Sequence, residues 1–243
     1  MKTGLVVDIG LVEYGAAWDL QRRIVAARKA GAVPDVLLLC EHPHVITLGR
    51  NGKLENLRAS DHVLRQMGVS FFETDRGGDI TYHGPGQLVG YPILNLAEIR
   101  RDIAWYMRSL EEAMIRATAE VGIPSHRVAG RTGVWVDVPT GQGEEKLAAI
   151  GVHLSRWVTS HGFAYNVVTD LRYFDLIVPC GIADKRATSL EKLLGRGVKI
   201  EEVSPRIAAH LGELLCLDLQ PAHRDELDAM LRTYEERAVL ATV

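Results

Sequence analysis

Apolar positions along the 243 residues switch between two periods, and the switching divides the chain into short strands and longer helices. In the first half, Leu5 to Val12, Val36 to Cys40, Val45 to Leu48, Val69 to Glu73, Asp79 to Tyr82 and Leu88 to Leu94 read as strands. Val36 to Cys40 has no polar interruption, which suits a strand buried on both faces. Ala17, Leu20, Ile24 and Ala27 fall at helical spacing and predict a helix from Ala16 to Ala30, closed by Gly31 and Pro34. Ser60 can cap a short helix to about Met67, with Gly68 ending it. The clearest amphipathic helix runs from Asp102 to Val121, where Ile103, Met107, Leu110, Met114 and Val121 recur on one face before Gly122 and Pro124 stop it.

In the second half, Gly133 to Val138, Gly162 to Val168 and Tyr173 to Val178 read as strands. Pro139 to Glu145 is polar and reads as an exposed loop, with Lys146 at its end just before the apolar run Leu147 to Val152. Ala187 to Leu194 suits a helix. Ser204-Pro205 matches a cap followed by proline at the first helical position, starting a helix to about Leu217, and His223 to Arg237 makes a last one. Together these elements predict an α+β (mixed α/β) fold, a largely antiparallel sheet with flanking helices. No linker or repeat divides it, so a single domain over 1–243 is expected, wholly helical after about residue 187.

Composition narrows the class. With 47% apolar and 24% charged residues the chain can build a sizeable core. A net charge of -3 gives no basic field for nucleic acid or an anionic membrane. Three scattered cysteines argue against a disulfide framework and fit a reducing compartment, and Asp8 interrupts the N-terminus before any signal-like apolar region. No uncharged run reaches membrane-spanning length, so the cytoplasm is the expected location.

The stretch Arg76 to Leu96, RGGDITYHGPGQLVGYPILNL, concentrates candidate chemistry. Two glycine-bearing turns, where backbone can approach a ligand closely, bracket a short strand beside Arg76, Tyr82, His83 and Gln87. On local pattern alone, a tight glycine-rich hairpin explains it equally well. Cys180 stands between Pro179 and Gly181 at the end of an expected strand, where a turn can expose a thiol and aim N–H groups at an oxyanion. Cys40 and Cys216 lie in apolar contexts and read as small buried hydrophobes. Taken singly, Cys180 reads more readily as a structural cysteine than as a nucleophile, and Lys146 as an ordinary solvated lysine after Glu144-Glu145. Cys40, His42 and His44 alternate as metal ligands on a strand face can, but Pro43 disturbs the strand and no fourth ligand is evident. His153 and His161 lack an evident orienting partner for a Cys-His hydrolase.

Three blocks decide between these readings: the 76–96 stretch, KLAAIGVHLSRWVTSHGFAYNV from Lys146 to Val167, and PCGI from Pro179 to Ile182. With the weaker EHPHVITLGR, from Glu41 to Arg50, they closely resemble the bacterial octanoyltransferases of lipoate biosynthesis (lipoate-protein ligase B type) from roughly residue 36 to 195. The resemblance implies the fold of the biotin/lipoate protein ligase catalytic domain. It implies transfer of octanoyl from acyl carrier protein, through a thioester on Cys180, to a lysine ε-amine of a lipoyl domain. It makes Cys180 and Lys146 the catalytic dyad. For substrate binding it implies Arg76, Gly77, Gly78, Asp79, Ile80, Thr81, Tyr82 and His83, then Ala149, Ile150 and Gly151, then Gly162, Phe163 and Ala164. Asp79, Leu147, His153 and Tyr165 depart from the family pattern, which touches substrate detail and not the dyad. No metal or ATP is implied, since the donor brings its own phosphopantetheine thioester. The implied partners are octanoyl-acyl carrier protein, the lipoyl domains of 2-oxoacid dehydrogenase complexes and the glycine cleavage H protein, with no nucleic acid and no membrane. Two rivals remain: an ATP-dependent lipoate or biotin ligase, which needs no cysteine, and a non-catalytic module that binds acyl-carrier or lipoyl domains.

Overall fold

The computed structural model describes residues 1–137, 143–178 and 186–240. Its larger sheet has eight strands: β1 (Lys2–Leu11), β2 (Asp35–Glu41), β6 (Gln87–Ile93), β7 (His126–Val128), β8 (Arg131–Asp137), β9 (Glu144–Ser155), β10 (Val158–Asn166) and β11 (Leu217–Pro221). They lie in the order β11-β1-β2-β6-β10-β9-β8-β7. β1 runs parallel to both β11 and β2, and every other neighbouring pair is antiparallel, as the sequence predicts. A second sheet holds β3 (Val45–Leu48) between β4 (Ser70–Glu73) and β5 (Ile80–His83).

β2 shows why its sequence is uniformly apolar. Successive side chains of a strand point to opposite faces, and both faces here are covered. Val36, Leu38 and Cys40 pack with α1 (Tyr14–Lys29) and α7 (Arg224–Leu240), through Ala17, Leu20, Ile24, Ala27, Leu227 and Leu231. Leu37 and Leu39 pack with α4 (Ile103–Glu120) and α6 (Ile200–Leu215), through Tyr106, Leu110, Met114, Val203, Ile207 and Leu211. The short helices α2 (Asp61–Gln66), α3 (Leu96–Ile99) and α5 (Leu190–Leu194) fill connections. Ser60 caps α2 as expected, its side chain accepting from the Val63 amide at 3.4 Å.

Several expectations are corrected. Tyr173 to Val178 is not a strand: residues Leu171–Leu176 form a 3₁₀ helix, capped by the Asp170 carboxylate accepting from the Arg172 amide. Its adjacent aromatics, Tyr173 and Phe174, both turn onto Tyr82 of β5, a packing that strand alternation forbids. Ser204-Pro205 does not start a helix either. α6 begins at Ile200, with the Glu202 carboxylate accepting from the Lys199 amide, and Pro205 sits inside it on an exposed turn where solvent can reach the unpaired carbonyl. The C-terminal part is not wholly helical, because β11 adds a strand to β1. Cys216, between α6 and β11, is exposed in a left-handed cap (φ 55°) and is not a core residue. The expected loop from Pro139 falls mostly on residues 138–142, outside those described, and Glu144 and Glu145 already belong to β9. Among the described residues no helix is long and apolar enough to cross a membrane.

Candidate active site

A cavity of about 420 Å³ is walled by β6, β8, β9 and β10 of the large sheet and by the stretch from Arg76 to His83. The sequence expectation placed fourteen substrate-contacting residues in three separate segments. All of them line this one space except Tyr82, as does Lys146. Tyr82 points the other way, its hydroxyl 2.7 Å from His44 Nδ1 and its ring stacked on Tyr173. Burial raises its phenol pKa.

Lys146 reaches the cavity because of a local irregularity. The β8–β9 register passes from Val134 opposite Ala148 to Trp135 opposite Lys146, leaving Leu147 as an extra residue. Leu147 and Ala148 are both fully buried in the core, as a bulge allows and strict alternation does not. Lys146 is thereby turned to the cavity, its Nζ 4.6 Å from the centroid of the Trp135 ring, whose face attracts and orients an ammonium. Across from it, Gly133 adopts φ +125°, and a Cβ there would lie 2.5 Å from Ala148 O and 3.5 Å from Lys146 Cε. The Gly133 amide donates to the buried carboxylate of Glu111 at 3.0 Å, which Arg108 and Arg127 neutralise.

The glycine turn is clamped. Arg76 donates to Thr47 Oγ1 and to the Thr47 and Gly77 carbonyls, and the Gly77 amide donates to Val152 O at 2.8 Å. Asp79 accepts from Asn56 Nδ2 and from the Ile80 amide. The side chains of Arg76 and Asp79 therefore secure the turn, and Gly77-Gly78 present backbone to the cavity. Gly151 is needed beneath it, since a Cβ there would meet Gly77 O at 2.7 Å. Ala149, Ile150, Phe163 and Ala164 supply apolar wall.

His83 is neutral. Gln87 Nε2 donates to the Tyr82 carbonyl and to Asn166 Oδ1, so Gln87 Oε1 accepts from His83 Nδ1–H at 2.8 Å. Burial, with His42 and Arg76 nearby, pushes the imidazole down to about 3. It can accept through Nε2, but it is no acid at neutral pH. Tyr14 stacks on it at 6.0 Å, and burial raises that phenol to about 12. His42 donates through Nδ1 to Val12 O and accepts from the Tyr91 hydroxyl at 2.6 Å. Cys40 lies 3.6 Å from the same imidazole, and burial lifts its thiol well above the ordinary range. Those engagements account for Cys40 and His42 without a metal, and no three His, Cys, Asp or Glu among the described residues are grouped to hold one.

Sequence reasoning missed Tyr14, Tyr91, Trp135 and Asn166 on the cavity wall, and it missed Asp75 as a partner for His161, 2.8 Å from its Nε2. No local signal marks that pair, which lies 86 positions apart in the chain. Cys180 lies outside the described residues. On either side of residues 179–185, the Val178 amide donates to Asn56 O at 2.7 Å and Arg186 O accepts from the Lys146 amide at 2.9 Å. Arg186 and Ala187 line the cavity.

Residues 13–212 match the lipoyl protein ligase A/B catalytic domain. The chain belongs to that family. Within it, a protein of Solibacter usitatus named octanoyltransferase is 51% identical over 221 residues, covering 91% of this chain and 97% of its own. One of the same name from Chloroflexus aurantiacus is 48% identical over 219 residues, covering 90% and 96%. At such identity over nearly whole chains, the acyltransferase class carries over, and the octanoyltransferase resemblance holds. Among solved structures, a bipartite lipoate protein ligase of Thermoplasma acidophilum, described with its E2 lipoyl domain, superposes with a TM-score of 0.73 at 17% identity, covering 96% of this chain and 92% of that one. That likeness establishes the lipoate ligase catalytic fold.

Proposed function

We propose that this chain transfers an octanoyl group from acyl carrier protein to the lysine ε-amine of lipoyl domains, by way of a thioester on Cys180. The observation that carries the reading is the bulge-directed Lys146 on the wall of a largely apolar cavity, its backbone tied to Arg186 just after the Cys180 segment. Cys180 Sγ, deprotonated with the help of Lys146, attacks the donor thioester carbon. The tetrahedral adduct collapses by breaking the bond to the pantetheine sulfur, which takes its proton from Lys146. In the second half-reaction the acceptor amine adds to the Cys180 thioester, loses a proton to Lys146, and expels the Cys180 thiolate. Exchange between thioesters is nearly balanced and thioester to amide is downhill, so neither ATP nor a metal is required. Neutral Tyr14 and His83 add hydrogen-bonding groups to the wall without adding charge. The acceptors are the lipoyl domains of 2-oxoacid dehydrogenase complexes and the glycine cleavage H protein, in the cytoplasm.

The test is octanoyl transfer from the carrier thioester to a lipoyl domain, without ATP, for the wild type, Cys180→Ala and Lys146→Ala. Turnover in the wild type and loss of about 10³-fold or more in both variants is expected. Modification only when free octanoate and ATP are supplied identifies a ligase, and undiminished turnover in Cys180→Ala removes the covalent route.

A further inference from the structure

The cavity ends in a polar group that the proposed chemistry leaves unused. From Lys146 along β9, the wall proceeds through the cross-strand pairs Ala149–Ala164, Ile150–Phe163 and Gly151–Gly162 to Val152–His161. That last pair is six residues from Lys146 along β9. The acyl carbon must lie at the Lys146 end, so the methyl end of a chain following these walls approaches His161.

The ring of His161 is held there deliberately. Strict alternation sends it to the face of Phe163 and Tyr165, which pack in the α4 core. Its backbone instead has φ +54°, a conformation rare outside glycine. The ring turns toward Trp18 of α1 and to Asp75, whose Oδ1 is 2.8 Å from Nε2. The Gln21 carboxamide accepts from the His161 amide at 2.8 Å and anchors the kink. Asp75 also approaches His153 Nε2 at 3.6 Å. His161 is 2% exposed, and its Nδ1 has no hydrogen-bond partner among the described residues. The β9–β10 pairs before it are apolar or glycine, and the Gly77 amide donates to Val152 O beside it.

We infer that the His161 ring, held in place by Asp75, is the floor of the acyl cavity and sets the upper limit of chain length. The inference rests on the octanoyl-transfer reading and deepens it. Each methylene gains by leaving water until the terminal methyl meets the imidazole. A longer chain must part the imidazole from its carboxylate, which leaves the buried ring without its hydrogen bond and is unfavourable.

The test compares kcat/KM for hexanoyl, octanoyl, decanoyl and dodecanoyl carrier thioesters in the wild type, His161→Ala and Asp75→Ala. His161→Ala is expected to raise the decanoyl-to-octanoyl ratio at least tenfold, and Asp75→Ala, which frees the ring, severalfold. A merely structural role lowers all chain lengths together, so an unchanged ratio in both variants overturns the inference. If His161→Ala does not fold, the ratio in Asp75→Ala decides. If the wild type transfers no acyl group from the carrier, the functional reading fails instead. The floor is then read from calorimetric binding of octanoate and decanoate, where the same shift in preference supports it and its absence overturns it.

Discussion

Gly133→Ala tests how Lys146 is held. Gly133 has φ +125°, outside the regions open to an L side chain, and the added Cβ would stand 2.5 Å from Ala148 O, on the far side of the bulge from Lys146. Restoring an ordinary 3.4 Å contact requires that carbonyl to retreat by 0.9 Å (3.4 minus 2.5). The cost is backbone strain of about 1–3 kcal/mol plus about 1–3 kcal/mol of overpacking. For a chain of this size the sum lowers Tm by roughly 4–24 °C. Lys146 moves with the bulge, and a displacement near 1 Å costs about a hundredfold in rate. The assay is thermal unfolding beside octanoyl transfer at saturating donor. A variant that unfolds within about 2 °C of the wild type and keeps its turnover would refute the claim that Gly133 accommodates the bulge that positions Lys146.

Other expectations follow from burial and charge. His83 is depressed to about 3 and His42 to about 4, chiefly by burial, whereas the unfolded chain takes up those protons near 6.5. The unfolded state therefore binds more protons as pH falls, so stability is full above about 6.5 and declines toward 4, by roughly 2–3 kcal/mol per histidine at pH 4.5. Urea titrations across that range should show the slope, and a flat profile between pH 6.5 and 5 contradicts neutral burial. For the thiols, brief alkylation of the native protein should label Cys180 first, exposed Cys216 next and buried Cys40 last, with a pH midpoint for Cys180 below the free-thiol value. Equal labelling of all three speaks against a Lys146 to Cys180 dyad. Pro205→Ala on the exposed side of α6 restores a helical hydrogen bond and should stabilise by about 1–2 kcal/mol in denaturant titration. A loss there means that the proline packs better than its exposure suggests.

What the sequence made legible was local. The unbroken apolar run of β2, the spacing of Leu20, Ile24 and Ala27, and the Ser60 cap each express a rule acting within a few residues, and each is realised. The glycine turn at 77–78 was legible as a close approach, although the approaching backbone, Val152, could not be named. Elements set by distant partners were not legible. Tyr173 and Phe174 look strand-like until Tyr82 takes both rings. Pro205 reads as a helix start until Lys199 and Glu202 cap the helix five residues earlier. Leu217 and Leu219 become a strand only because β1 offers an edge. The bulge at Leu147 and the kink at His161, which aim the two polar ends of the cavity, depend on register across strands, and no local pattern encodes that.

The central claim is a covalent acyl group on Cys180, resolved by Lys146. Peptide mass spectrometry after mixing the protein with octanoyl-carrier thioester, then chasing with a lipoyl domain, tests it most directly. The account predicts an octanoyl adduct on the peptide containing Cys180 that decays as the lipoyl domain gains octanoyl, and none in Cys180→Ala. Octanoylation of the domain with no adduct at any time point, including in acid-quenched early samples, would contradict it.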